Sequence, residues 1–362
     1  MNNKIKVAVA MSGGVDSSTT AALLKQQGYD VIGITMRLYT GLSSCCGISD
    51  VEDARKVAEK MGFPFHVVSF EKEFAREVID RFVNEYLQGR TPNPCVLCNQ
   101  QLKFKYLITK ARELGAEYLA TGHYARSVLD KDTGLYQLRK AKDPAKDQSY
   151  FLFTVDQEIL SRILFPLGDF TKHETRDLAK QLGLEIHKKT ESQDICFVPS
   201  GNYARFVESW MNYRKEFTGM QKLSTGDFVD TKGNILGKHQ GIYRYTIGQR
   251  SGLGIAVGTP VYVKEIDAGN NRVVLGRIDE IMSEGCSLSD VSWVSGKDPE
   301  GLVKATVKIR YRHPGVESEI FQDKSGVYQI RFSVPQKAVT PGQAAVFYED
   351  EKVIGGGWIN KV

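Results

Sequence analysis

Short apolar runs recur through the first two hundred or so positions and alternate with amphipathic stretches. Residues 4–10 (KIKVAVA) form an apolar run of strand length. A turn is predicted over 12–16, then a helix over 17–27 (SSTTAALLKQQ) that Gly28 stops. Residues 30–36 (DVIGITM) predict a second buried strand. Ser49, with Glu52 three residues on, reads as a capping box opening a helix that Gly62 ends. Residues 65–70 (FHVVSF) and 118–121 (YLAT) predict a third and a fourth strand, the latter after a helix over 100–114. Such alternation predicts an α/β fold: a parallel sheet covered by helices on both faces, with ligands at the carboxyl ends of its strands.

The periodicity changes near residue 202. Residues 226–258 are rich in Gly and Tyr, with short strands and turns. From Cys286 only β signals follow (LVKATVKIRYR, ESEIFQ, VYQIRFSV, AAVFYED, KVIGGGWIN), which predict a small antiparallel barrel. The chain divides into an α/β domain over 1–204, a small β-rich domain over 205–280 and a β-barrel over 281–362. It has no internal repeat and no low-complexity tract.

Composition adjusts this picture only slightly. A length of 362 residues suits two or three domains, and 41% apolar and 25% charged residues are ordinary for a globular protein. No run approaches the ~18 apolar residues of a membrane helix, and the N-terminal segment is too short for a signal peptide. Six cysteines without a leader predict reduced thiols in a cytoplasm. A net charge of +5 permits an RNA partner without requiring one.

Two stretches carry chemistry. Ser12-Gly13-Gly14-Val15-Asp16-Ser17-Ser18 joins the first strand to the first helix, where two glycines let backbone N–H groups face an anion at the positive end of the helix. Ser12, Ser17 and Ser18 add hydroxyl donors, and Asp16 suits Mg²⁺ or a helix cap. No G-x-x-x-x-G-K-[ST] is present, so no lysine is placed for γ-phosphate transfer. The second stretch, TPNPCVLCNQQLKFK, holds Cys95 and Cys98. Zinc would need two further ligands, but there is no second C-x-x-C and no H-x₃₋₅-H. The flanking Pro92, Pro94 and Asn99 do not suit a thioredoxin-like pair, and TPNP turn chemistry does not suit simple burial. A cysteine just before a helix has a lowered pKa, which makes Cys98 a candidate thiolate. From its surroundings alone, Cys196 in ESQDICFVPSGNYARF reads as a buried strand cysteine.

SGGVDS after an apolar strand resembles the signature of the N-type ATP pyrophosphatases, which adenylate a substrate and release pyrophosphate. The loop alone does not choose among GMP, argininosuccinate and asparagine synthetases and RNA thiolases. Together, SGGVDS, TPNPCVLCNQQLKF, ATGHYAR, KDQSYFLF, ESQDICFVPSGNY and YTIGQRSGLGI resemble the bacterial tRNA-specific 2-thiouridylases over nearly the whole chain. The resemblance implies an ATP-pyrophosphatase domain of the adenine nucleotide alpha hydrolase type. It implies ATP with Mg²⁺, and sulfur placed on C2 of the wobble uridine (U34) of the tRNAs for Lys, Glu and Gln. The sulfur would come as a persulfide from a relay protein or a cysteine desulfurase.

Residue by residue, Cys98 matches the nucleophile and Cys196 the persulfide carrier. Ala10, Met11, Ser12, Gly13, Gly14, Val15, Asp16, Ser17, Met36 and Gly122 match nucleotide-binding positions. Asn93, Pro94, Cys95, His123, Lys146, Asp147, Gln148, Arg310, Tyr311 and Gln343 match tRNA-contacting ones. On pattern alone, Lys308, Arg310 and Arg312 would alternate on the outer face of a strand, and Lys103 and Lys105 would face RNA. Many family members carry Asp where this chain has Cys95. The resulting thiols Cys95, Cys98 and Cys196 open a second route, in which they hold a [4Fe–4S] cluster with one iron left free for sulfide. Cys45, Cys46 and Cys286 have no motif role. Two rival readings are a small-molecule ligase of the same superfamily and a non-enzymatic RNA-binding or redox-sensing protein.

Overall fold

The structure is a computed structural model that describes residues 4–38, 48–188, 195–198, 201–214 and 224–362. Its first sheet contains β1 (Lys6–Ala10), β2 (Asp30–Arg37), β3 (Phe65–Ser69) and β4 (Tyr118–Thr121). α1 (Val15–Gln26) follows β1, and α2 (Ile48–Met61) joins β2 to β3. α2 begins one residue before Ser49, so Ser49 lies inside its first turn and not at the predicted capping position. The predicted helix over 100–114 starts earlier than expected. It runs over 94–113, with Pro94 at the first helical position, where a missing N–H costs nothing. Cys95 and Cys98 are therefore helical. From Cys98 to Leu107 the helix widens to a π-helix, a form often found at functional sites.

The next strands were not legible in the sequence. β5 (Arg126–Leu129) and β6 (Tyr136–Arg139) form a hairpin, and the short β7 (Ile163–Leu164) adds a fifth strand to the first sheet. That sheet is parallel throughout, in the order β3-β2-β1-β4-β7. The order reverses between β1 and β4, which opens a crevice at their carboxyl ends.

The central region holds β8 (Gly226–Val229), β9 (Ile235–His239), β10 (Tyr262–Asp267) and β11 (Arg272–Gly276), in a four-stranded sheet ordered β10-β11-β8-β9. The rest is the predicted antiparallel barrel: β12 (Met282–Trp293), β13 (Val303–Lys308), β14 (Val316–Gln322), β15 (Tyr328–Lys337), β16 (Ala344–Glu349) and β17 (Lys352–Lys361). Pairing of β12 with both β15 and β17 closes it. The β5–β6 hairpin extends the barrel sheet, with Leu138 opposite Val353 on β17.

One apolar core spans the seam between barrel and α/β domain. Val96, Phe104, Leu152 and Phe153 are buried together with Ala344, Val346, Tyr348 and Val353. Phe153 packs edge-on to Trp358, and a Cβ on Gly356 would lie 2.6 Å from its ring. No described helix is long and apolar enough to cross a membrane. Phe153→Ala is expected to cost about 3–5 kcal/mol, read as an earlier urea denaturation midpoint in which barrel and α/β signals move together.

Candidate active site

A cavity of about 230 Å³ lies at the β1–β4 crevice, lined by Ala10, Met11, Ser12, Asp16, Ser17, Ile34, Met36, Lys103, Thr121, Gly122, His123 and Gln148. Its floor is the loop between β1 and α1. Met11 is tied down by its N–H to Ile34 and by the Thr35 hydroxyl donating to its carbonyl at 2.7 Å. The Ser12 N–H donates to Ser17 Oγ at 3.1 Å, which folds the loop back on the helix start. Gly13 has φ +69°, and a Cβ there would run into the carbonyl of Asp50. Gly14 precedes the first helical residue, Val15, and no side chain caps that helix end. The loop and the macrodipole thus present a receptor for phosphate.

Asp16 neither caps the helix nor offers a carboxylate in want of a cation. Lys172 Nζ donates to both its oxygens, at 2.7 and 2.8 Å, and the Tyr124 hydroxyl donates at 2.9 Å. As it stands Asp16 is therefore not an open ligand for Mg²⁺. The sequence did not reveal Lys172 or Tyr124, since both reach Asp16 only through the fold.

His123 is buried at the end of β4. Its Nδ1 lies 2.8 Å from Thr121 Oγ1 and its Nε2 lies 3.2 Å from Lys103 Nζ. Burial, with the Lys103 charge second, holds its pKa well below the ordinary value. A neutral ring then accepts from Lys103 at Nε2 and donates to Thr121 from Nδ1. Lys103 therefore faces the cavity, whereas Lys105 is exposed.

The thiols lie beside this group. Cys95 is exposed and Cys98 half-buried, three residues apart on the same helix, and Cys196 is half-buried. Neighbouring protein pushes the pKa of the Cys95 surface thiol upward, the Cys196 thiol adds to the rise, and Lys103 opposes it. Cys196 lies in a tight turn and not in the expected strand, with the Val198 N–H donating to Ile195 O at 2.9 Å. Phe197 anchors that turn edge-on between Phe74 and Phe82, at 5.6 and 5.1 Å. Among the described residues, no three His, Cys, Asp or Glu side chains stand where they could hold a single metal ion. Cys286 is buried in β12 with its pKa pushed up to about 12, an inert core thiol. Cys45 and Cys46 lie outside the described residues.

Three family models match the chain: a tRNA methyl transferase HUP domain over residues 5–200, a tRNA methyl transferase PRC-barrel domain over 217–277 and an aminomethyltransferase beta-barrel domain over 283–359. The tRNA-specific 2-thiouridylase MnmA of Geotalea uraniireducens is 52% identical over 369 residues, which span 99% of this chain and 96% of that protein. The enzyme of the same name from Geobacter metallireducens is 52% identical over 98% of this chain and 96% of its own length. That of Magnetococcus marinus is 48% identical over 99% of this chain and all of its own length. The chain belongs to the tRNA-specific 2-thiouridylases.

Several residues that the thiouridylase motifs assign to RNA make protein contacts here. Asp147 is buried, and its carboxylate accepts from the N–H groups of Ala141 and Ser149 and from the Ser149 hydroxyl. Gln148 lines the cavity and accepts from the Tyr124 N–H at 2.9 Å. Gln343 donates to the carbonyl of Thr91 at 2.9 Å, so the barrel pins the turn leading to Pro94. Asn93 and Pro94 are buried beneath that turn. Lys146 is half-buried. β13 ends at Lys308, so Arg310 and Tyr311 lie in a turn and not on a strand face. There Arg310 is exposed, and Tyr311 packs on Phe151 at 4.5 Å.

Two outcomes follow from this geometry. Gly13→Ala is expected to weaken ATP binding by roughly 10–100-fold, measured by calorimetry. A depressed folded pKa at His123 gives stability that is present above its unfolded value near 6.5 and is lost as pH falls below it. His123→Gln is therefore expected to flatten the loss of stability between about pH 6.5 and 5, measured by urea titration at each pH.

Proposed function

We propose that this chain thiolates C2 of the wobble uridine in the tRNAs for lysine, glutamate and glutamine, in the cytoplasm, with ATP as activator and a Cys196 persulfide as sulfur source. The observation that carries this reading is one helix, over 94–113, which bears Cys98 and also brings Lys103 to the phosphate-loop cavity. ATP chemistry and sulfur chemistry therefore share a centre. A C2 carbonyl is a poor electrophile, and adenylation of its oxygen turns that oxygen into a good leaving group. The C2 oxygen forms a bond to the α-phosphorus, pyrophosphate departs with the electron pair, and the N3 proton passes to solvent.

The terminal sulfur of the Cys196 persulfide, loaded by a persulfide carrier or a cysteine desulfurase, then attacks C2, and AMP departs. The Cys98 thiolate attacks the remaining Cys196 sulfur, forming a Cys98–Cys196 disulfide and releasing the S–S electron pair to the thiocarbonyl. An external thiol reduces that disulfide before the next turnover. In this route Cys98 and Cys196 alone make and break the sulfur bonds, and Cys95 takes no covalent step. In this reading residues 1–204 carry the chemistry, while 205–280 and 281–362 clasp the RNA. Arg310, Tyr311 and Lys146 face the anticodon region, and Asn93, Pro94, Cys95, His123, Asp147, Gln148 and Gln343 shape the base pocket.

The test is thiolation of purified tRNA with ATP and a persulfide donor, read as 2-thiouridine by mass spectrometry. Cys98→Ala and Cys196→Ala are each expected to lower the rate by at least ~10³. Cys95→Ala is expected to lower it by less than ~10-fold. Equal loss in all three variants, with iron bound after anaerobic purification, would replace the persulfide route by the cluster route.

A further inference from the structure

Among the described residues, Lys103 is a cation with no carboxylate partner, in a place built for anions. It is half-buried and lines the same cavity as Ser12 and Ser17. No carboxylate among the described residues lies within salt-bridge distance of it, and its hydrogen-bond partner is Nε2 of the neutral His123. The other lysine of the site, Lys172, is already neutralised by Asp16. Lys103 is also held firmly. Thr121, the last residue of β4, fixes His123 through Nδ1, while the rings of Phe104 and Phe165 pack about the imidazole at 6.3 and 6.1 Å. A preorganised ammonium of this kind acts strongly on a charged group that meets it.

We propose that Lys103 is a catalytic residue of the adenylation step, its ammonium binding a non-bridging oxygen of the ATP α-phosphate while the uridine C2 oxygen attacks. This rests on the function proposed above. In that step the new bond joins the C2 oxygen to the α-phosphorus, and the bond from phosphorus to the β-bridging oxygen breaks. The electron pair leaves with pyrophosphate and the N3 proton goes to solvent. Charge is spread over the equatorial oxygens of the transferred phosphorus, where a fixed cation lowers the barrier. Lys103 lies on the helix that carries Cys95 and Cys98, so the alternative is that it serves the thiols alone.

Withholding the persulfide donor separates the two roles, because an unloaded Cys196 has no sulfur to transfer and pyrophosphate release then reads adenylation alone. The readout is tRNA-dependent release of pyrophosphate in a single turnover of the full-length protein, alongside the dissociation constants for tRNA and ATP. With the donor withheld, the otherwise unaltered protein is expected to release about one equivalent. Adding Lys103→Met is expected to slow release at least ~100-fold, with tRNA affinity unchanged within about threefold and Lys103→Arg recovering part of the rate. Lys103→Gln, which keeps a donor for His123 without the charge, is the second neutral variant and is expected to match Lys103→Met. Pyrophosphate release at the parent rate in either folded neutral variant, with thiolation lost once the donor is supplied, would overturn the proposal and assign Lys103 to the thiols. If the wild-type protein releases no pyrophosphate with tRNA and forms no 2-thiouridine, the proposed function itself falls.

Discussion

The backbone after β4 and the first turn of α1 approach so closely that a Cβ on Gly122 would lie 2.8 Å from the Ser17 nitrogen. That contact exists because β1 and β4 are neighbours in a parallel sheet, with Ala10 opposite Thr121. The two chains leave their strands side by side, one turning into the phosphate loop and the other carrying Thr121 and His123. The cavity therefore has backbone and hydroxyl donors from one strand end and an oriented imidazole from the other. A larger residue than glycine at position 122 would wedge the strand ends apart and open the cavity floor.

Charge in the site follows from this closeness. Asp16 would leave a partly buried negative group beside a phosphate receptor, and Lys172 and Tyr124 answer it across the crevice. Among the described residues Lys103 is left over as positive charge, held on a histidine that burial keeps neutral. The same ammonium lowers the Cys95 pKa, while the protein packed about that thiol raises it further. Two cysteines three residues apart on one helix thus differ in exposure. Only Cys98 packs, as Cys196 does, against the aromatic core that Phe197 enters.

The fold class was legible because both its signals are local. Apolar runs broken by capped helices, and later by turn residues, need only a few neighbouring positions to be read. The β5–β6 hairpin was not legible, since its strands are four residues long and half-exposed and its partner β17 lies far along the chain. β7, at two residues, is too short to show any period. In the site, SGGVDS was legible as a phosphate loop, and the two thiols of TPNPCVLCNQQLKF could be singled out. Their placement inside a helix turned on where Pro94 falls relative to the helix start, a matter of a few residues at a boundary.

The sequence by itself determined the alternating sheet, the anion-receiving turn after β1, the antiparallel barrel and the residue types able to do thiol and nucleotide chemistry. Each depends on side chains close in the chain, and their geometry follows from helix and strand periods and from glycine and proline. Tertiary structure alone decided that Lys103 turns toward the nucleotide cavity, that Lys172 neutralises Asp16, that Asp147 spends its carboxylate on its own loop, and that Cys196 comes near Cys95. Those outcomes depend on desolvation and on pairings between distant segments. Such terms take a value only once the sheet, the aromatic core and the barrel seam have closed around them.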